Sequence, residues 1–320
     1  KGIKQNPFKG VLYSLSQGCK KGKGLKGETT MALVVQTNTL ALNSQKNLSK
    51  ATSSMNQAME RLSTGYKINR AADDAAGLYV ASNMTSQIGG SEKARDNANI
   101  GINMLQTAEG SLTTIQDNLQ RIRDLTVQAG NQVYSAESLA AMQMEVDARL
   151  AEITRIADVA EFNGLKLLSH DGSMGDVTLQ VGANSNAAEN TITLTDVFTD
   201  TTVTAAGLDV GSTKYEKAFT GGDTNQIANA QAYLSAIDIA LETVATKRSK
   251  IGAFQNRLNS AIDTLTVNIE NLSAARSTIQ DTDVAVESSN YIKNQILQQS
   301  TTAMLSAANQ APQVALSLIG

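Results

Sequence analysis

The residues that could do chemistry in this 320-residue chain are few and scattered. Asp73 and Asp74 are adjacent carboxylates, the residue type that general acid–base work uses in pairs. Neighbours in sequence point to different sides of a helix, and acids near a helix start are favoured by its dipole. The pair therefore reads as a helix-start or loop-fixing device. His170 is the only histidine. It has no His-Glu-x-x-His neighbourhood and no cysteine close by to share a metal, so zinc chemistry is not expected. Ser169-His170-Asp171 has the residue types of a hydrolytic triad, but three consecutive side chains cannot converge on one bond. That segment reads as a turn. The glycine pairs, Gly221-Gly222 among them, lack the Gly-Lys-Ser/Thr ending of a phosphate loop. No cofactor, metal or catalytic residue is expected, and the chain does not read as an enzyme.

Composition points away from a globule built around a pocket. There is no tryptophan, aromatics make up 4%, and the only prolines are Pro7 and Pro312. Nothing between those prolines is forced out of a helix by a missing N–H. Residues 1–30 hold seven of the 27 basic residues and one of the 30 acidic ones, which leaves 20 bases against 29 acids from Met31 onward. An acidic body is a poor nucleic-acid binder. No stretch reaches the ~20 apolar residues of a membrane span, and Val11–Leu15 is too short for a secretory signal. Cys19, the only cysteine, lies in the basic leader. Lys26-Gly27-Glu28-Thr29-Thr30 could be encoded by a ribosome-binding site and spacer. Residues 1–30 are therefore expected to be a translated leader, with Met31 the true start; the rival reading is a basic arm for nucleic acid or membrane.

The elements that must position any function are helices. Ile227, Ala230, Leu234, Ile237, Leu241, Val244, Ile251, Leu258, Ile262, Leu265, Ile269, Leu272 and Ile279 fall on one alternating three-four spacing. Arg248, Gln255 and Arg276 fill the remaining slots. This is a heptad seam, with Asp223 or Thr224 as candidate N-cap. Such a helix would be ~80 Å long, a length that suits a rod. A matching stripe, Leu105, Ala108, Leu112, Ile115, Leu119, Ile122 and Ala129, lies in a proline-free run from about Ala75. A further helix is predicted from Ala136 to Asp158. Narrow stripes of this kind bury themselves by antiparallel pairing. Between the halves the period changes to two at Val177, Leu179 and Val181 and at Ile192 and Leu194, after the turn signal Phe162-Asn163-Gly164; this predicts a hairpin. Residues 196–222, rich in Thr and Gly, read as an exposed connector.

Both ends are amphipathic. Leu33, Leu40, Leu48, Met55 and Leu62 mark one stretch, and Ile292, Ile296, Met304 and Leu305 the other. Apolar ends are unusual and need a partner: the same chain, a neighbouring copy or a membrane surface. The expected fold class is mainly α, a long antiparallel coiled-coil bundle formed by the N- and C-terminal halves, with a small β-hairpin region. The expected organisation is leader 1–30, a terminal-helix domain from 31–74 and 280–320, bundle from 75–195 and 223–279, and connector 196–222.

At Glu60-Arg61-Leu62-Ser63-Thr64-Gly65-Tyr66-Lys67-Ile68-Asn69-Arg70-Ala71-Ala72-Asp73-Asp74-Ala75-Ala76-Gly77 the sequence closely resembles the N-terminal signature of bacterial flagellins. Met31–Asn38 resembles a flagellin start, and Asn309-Gln310-Ala311-Pro312-Gln313 a flagellin end. Phe162-Asn163-Gly164 and Leu179-Gln180-Val181-Gly182-Ala183 resemble the family's turn and hairpin. The chain departs from many flagellins by closing on Ile319-Gly320 and not on a basic residue. From Met31 onward only about 196–222 falls outside the resemblance, which implies a minimal flagellin without large outer domains.

The resemblance implies a structural subunit that polymerises into the flagellar filament for swimming, exported unfolded by the flagellar type III apparatus without a cleaved signal. It implies paired terminal helices lining the filament channel and the coiled helices in the next shell. Implied partners are further copies of the chain, an export chaperone, and cap and hook-junction proteins. Gln120, Arg121, Leu125 and Gln128, with Glu145 nearby, resemble the flagellin surface bound by the host Toll-like receptor; the native role of that surface would be axial packing between subunits. A hook–filament junction protein and a secreted coiled-coil binding module are the rival readings. The first would not form long filaments, and the second would have ordered ends as a monomer.

Overall fold

The computed structural model describes residues 37–169, 175–204, 207–211, 218–219 and 226–317, with side chains described up to Gln310. The expected leader, Leu33, His170 and the candidate caps Asp223 and Thr224 lie outside the described residues. Six helices and two small antiparallel sheets are present among the described residues: α1 (Thr39–Thr64), α2 (Ala75–Ala129), α3 (Ala136–Val159), β1 (Glu161–Phe162), β2 (Leu165–Lys166), β3 (Val177–Gln180), α4 (Ala187–Asn190), β4 (Thr191–Leu194), α5 (Gln226–Gln280) and α6 (Val284–Ser317). The chain divides into two compact units. A terminal unit includes residues 37–57 and 289–317, and a bundle unit includes residues 58–288.

The bundle unit is organised by α2 and α5, each 55 residues long. At ~1.5 Å per residue each runs for about 80 Å. Their facing stripes follow the predicted spacing in part: Leu234, Ile269, Leu272 and Ile279 are only half-buried, and Tyr233, Ala240 and Lys247, outside the predicted stripe, are buried. Leu105, Ala108, Leu112, Ile115, Leu119, Ile122 and Ala129 are buried on α2, as are Ala230, Ile237, Val244, Ile251, Leu258 and Leu265 on α5. Ile227 departs from the predicted seam and is exposed. Each fully buried Leu or Ile contributes ~1.5–3 kcal/mol relative to exposure, so the seam is the main source of cohesion. The pair is antiparallel: Arg248 Nη1 donates to Gln116 Oε1 and Gln255 Nε2 to Glu109 Oε2, one helix advancing as the other retreats. Helix α3 packs on a second face of α2 through Leu139, Val146, Leu150 and Ile153.

Local signals set the helix ends. Asp74 is the N-cap of α2, its carboxylate accepting from Gly77 N at 2.9 Å. Asp73 Oδ2 accepts from the backbone N–H of Asn69 and Arg70. The adjacent carboxylates thus hold a helix start and the loop before it, a cap being worth ~1 kcal/mol. Gly65, with φ of 76°, turns the chain after α1, and its carbonyl accepts from Thr282 N, while Lys67 N donates to Gln280 O. The loop after α1 and the one after α5 are tied to each other by backbone bonds.

The predicted hairpin forms: β3 pairs with β4 in the register Val177 to Leu194 and Leu179 to Ile192. Asn97 Nδ2 donates to Gln180 O and anchors it on α2. A second, shorter pairing of β1 with β2 flanks the Asn163-Gly164 turn, where both residues have positive φ.

The described part of 196–222 corrects one expectation. It is not exposed. Val197, Phe198, Thr201, Leu208, Val210, Ala218 and Phe219 are buried, and most join the core that contains Tyr233. Thr201 N donates to Leu168 O and Tyr233 Oη to Val210 O. Lys247, only 7% exposed, donates through Nζ to the carbonyl oxygens of Thr199 at 3.1 Å and Asp200 at 3.0 Å. A lysine on α5 thereby satisfies carbonyls that the irregular backbone would otherwise leave unpaired. A Cβ at Gly207 would collide with Thr202 O, so the segment's turn requires glycine.

Two measurements check this packing. In thermal melts, Gly207→Ala is expected to cost roughly 1–3 kcal/mol, because backbone must move. Gly110→Ala, on α2 with open space around it, is expected to gain up to about 1 kcal/mol from helix propensity. Burial pushes the Lys247 ammonium down to about 8 from 10.5, with the Asp200 carboxylate opposing and Lys250 adding to the effect. The unfolded chain then holds more protons than the folded one between about pH 8 and 10.5, so this group makes stability rise with pH across that window. Denaturant titrations of the parent and of Lys247→Met are expected to differ in slope there, with the variant lacking the Lys247 rise.

Candidate functional site

The residues expected to form an axial-packing or receptor surface lie on α2 and α3. Gln120, Arg121 and Gln128 are exposed on α2, and Glu145 is half-buried on α3. Leu125 is a correction: it is 3% exposed and belongs to the core, because α3 covers the face of α2 beside the seam. The structure joins Arg121 to Glu145 by a two-pronged ion pair, Nε to Oε1 at 2.9 Å and Nη2 to Oε2 at 3.3 Å. Arg149 Nε also donates to Glu145 Oε1, and Arg149 Nη1 reaches Asn118 Oδ1. Arg149 and Asn118 were missed in the sequence. The four-residue spacing of Glu145 and Arg149 on one helix was the signal available for the first. Such a network orients side chains on the surface more than it stabilises the fold.

The terminal-helix residues lie differently. Leu48 and Met55 are half-buried in the terminal unit, and Leu62 is half-buried in the bundle unit. Within the terminal unit α1 and α6 run antiparallel. Asn38 Nδ2 donates to Ala308 O at 2.7 Å and Gln298 Nε2 to Thr52 Oγ1 at 3.4 Å. The residues buried in that unit are small: Ser44, Ala51 and Ala308. The large aliphatics face outward. Leu40 is 50% exposed, Ile296 60% and Met304 62%, and Leu42, Ile292 and Leu297 are exposed with them. Leu305 is half-buried. Ser289, Ile292, Lys293, Ile296 and Leu297 line an open, mainly apolar groove of about 430 Å³.

No group of three metal-ligating side chains occurs among the described residues, and no helix there is long and apolar enough to cross a membrane.

Comparison with known proteins places this arrangement. The family model "Bacterial flagellin N-terminal helical region" matches residues 35–173, and "Bacterial flagellin C-terminal helical region" matches residues 234–319. The flagellar filament 33 kDa core protein of Treponema phagedenis is 40% identical over 289 residues, 90% of this chain and 100% of that protein. The flagellin of Bacillus subtilis strain 168 is 39% identical over 306 residues, covering 88% of this chain and 98% of the relative. The chain belongs to the bacterial flagellins. The two matched regions leave only residues 174–233 between them, so this flagellin has no large outer domain. A solved structure described as a flagellar hook-associated protein of Vibrio parahaemolyticus covers 65% of the flagellin chain and 100% of its own, with a TM-score of 0.54 and 15% identity; it shares the fold.

In the flagellin, Glu145 is held below the usual carboxylate range, chiefly by the hydrogen bond from Arg121 and also by Arg149, with burial opposing. A lowered folded value means that the network's contribution is present above the ordinary value of 4.5 and is lost as pH falls through the folded one. Side-chain carboxyl NMR is expected to show Glu145 titrating below 4.5, and to move it upward in Arg121→Ala. An unshifted Glu145 in the parent would mean that the ion pair does not hold in solution.

Proposed function

We propose that this flagellin builds the filament through its terminal unit, while its bundle unit serves as the preformed body of each subunit. The flagellins are structural proteins of the flagellar filament, and self-polymerisation comes with the family. The observation that carries the proposal is the outward face of the terminal unit: Leu40, Leu42, Ile292, Ile296, Leu297 and Met304 are left uncovered by the described residues. Large apolar side chains that a single copy cannot bury are the surface that further copies cover. On this reading the terminal unit forms the inner layer and the bundle with its hairpin the next. The buried segment after β4 then closes the outer end of the bundle.

The chain acts as a subunit and not as a catalyst. It leaves the cell through the flagellar export apparatus, served by an export chaperone, and joins the filament beneath cap proteins and above hook-junction proteins. The face carrying Gln120, Arg121, Gln128 and Glu145 packs axially against the next copy, and is the face a host Toll-like receptor would meet on free subunits. Leu125 supports that face from beneath.

The test is seeded polymerisation followed by electron microscopy. Ile296→Glu and Met304→Glu are expected to abolish elongation, because an unpaired charge buried between copies is costly. Both variants are expected to keep the thermal transition of the bundle unit unchanged. Filaments of normal length from either variant would sink the proposal.

A further inference from the structure

The apolar seam of the bundle does not by itself determine how α2 and α5 are matched. On α2, Ala98, Leu105, Leu112 and Leu119 recur every seven residues, and on α5 so do Ile237, Val244, Ile251, Leu258 and Leu265. Sliding one helix by seven residues, about 10 Å, sets each of these against another aliphatic residue. Such a slip is almost silent to hydrophobic burial, which is non-directional.

The half-buried polar side chains are not indifferent to it. Arg248 Nη1 bonds Gln116 Oε1 at 2.6 Å and Gln255 Nε2 bonds Glu109 Oε2 at 3.1 Å. Arg276 Nη1 meets Thr85 Oγ1 at 3.4 Å toward the other end of the pair. These rungs cost stability: Arg248 Nε is buried with no hydrogen-bond partner. A slip in one direction would bring Arg248 against Arg123. A slip in the other would bring Arg248 against Glu109, but would leave Gln116 facing Leu241 and Gln255 facing Ile102, two amides without partners. Unmade hydrogen bonds at half-buried amides cost stability, and like charges repel, so both shifted pairings are penalised.

The geometry points to Gln116, Glu109, Arg248 and Gln255 as specificity-determining residues that set the register of the two halves of the chain. A single polar residue at a core position sets register in coiled coils at the expense of stability. In this chain two consecutive polar rungs lift the sevenfold ambiguity of a long repetitive seam. They also favour pairing of α2 with an α5 over pairing of two like helices, because α2 brings an amide and a carboxylate while α5 brings the guanidinium and the second amide. Two α5 helices side by side would present arginines to each other.

The test moves the register. Substituting Gln116→Leu and Gln255→Leu removes both amides and keeps Arg248 and Glu109, so the slipped pairing alone offers Arg248 a charged partner. In a Cys19→Ser background, the pair Arg123→Cys with Asp238→Cys, bridged by a short bismaleimide that replaces the reach of the arginine, reports the native register, since the native side chains form an ion pair at 2.7 Å. Arg123→Cys with Gln231→Cys, seven residues earlier on α5, reports the slipped register. The parent is expected to crosslink only through 123 and 238. The double-leucine variant is expected to transfer the major crosslink to 123 and 231, with at least a roughly tenfold rise in that yield. Unchanged crosslinking at 123 and 238, in a variant that melts cooperatively, would overturn the inference and place register control in the hairpin and the segment after it. Should the double variant fail to melt cooperatively, Gln116→Leu alone with the same cysteine pairs decides: a rise at 123 and 231 supports the role of the rungs, and no change overturns it.

Discussion

The bundle unit depends on one constraint: two stripes of aliphatic side chains, each only one residue wide, must be hidden along some ~80 Å of helix. Neither α2 nor α5 could hold its conformation alone, because helices in water draw most of their stability from packing an apolar face. Paired, they bury Leu105, Leu112, Ile115, Leu119 and Ile122 against Ile237, Val244, Ile251 and Leu258. Helix α3, the hairpin and the segment after β4 are then additions to the flanks of this pair. Each brings its own hydrophobic residues and its own polar tie: Arg149 to Asn118, Asn97 to Gln180 O, Lys247 to the carbonyls of Thr199 and Asp200. Loss of the seam would strand all of them.

Much of this was legible in the residues because long helices repeat their signal. A stripe that recurs from Ile227 to Ile279 is hard to mistake, and the predicted third helix, Ala136 to Asp158, differs from the observed Ala136–Val159 by one residue. The hairpin announced itself by alternation. What was not legible has a common cause. Leu125 was read as a surface residue from the family resemblance of its neighbourhood; it lies to one side of the narrow seam, and α3 packs on that face of α2. The segment after β4 was read as exposed because Val197, Phe198, Leu208 and Val210 follow no period. Irregular backbone can be buried only where something satisfies its carbonyls, and the group that does so is a lysine, a residue type read from sequence as facing solvent. Contacts that come from a third element, or from a charge turned inward, leave no repeat along the chain.

The terminal unit was legible as amphipathic but not as to which side faces where. Its two helices approach through Ser44, Ala51 and Ala308, while Ile292, Ile296 and Met304 look away. Small residues fill the inner side, and large ones on the outer side remain available to other copies. The bundle unit has the reverse arrangement, with the large aliphatics inside. Flagellin membership accounts for both arrangements in one chain: a subunit needs a body that keeps its shape and a surface that is completed only by its neighbours.

The alanine and serine lining between α1 and α6 has a consequence for dilution. Side chains so small release little water-exposed area when two helices meet, so the pair recovers little of the backbone entropy spent in ordering it. Most of the free energy that could keep these helices formed resides in contacts whose strength scales with the number of copies nearby. If the proposed assembly through the terminal unit holds, order at the chain's ends would follow subunit concentration, with a threshold below which the terminal pair melts while the bundle persists. The same small residues would then make the ends responsive to mass action, and give growth and shortening of the polymer a common balance point.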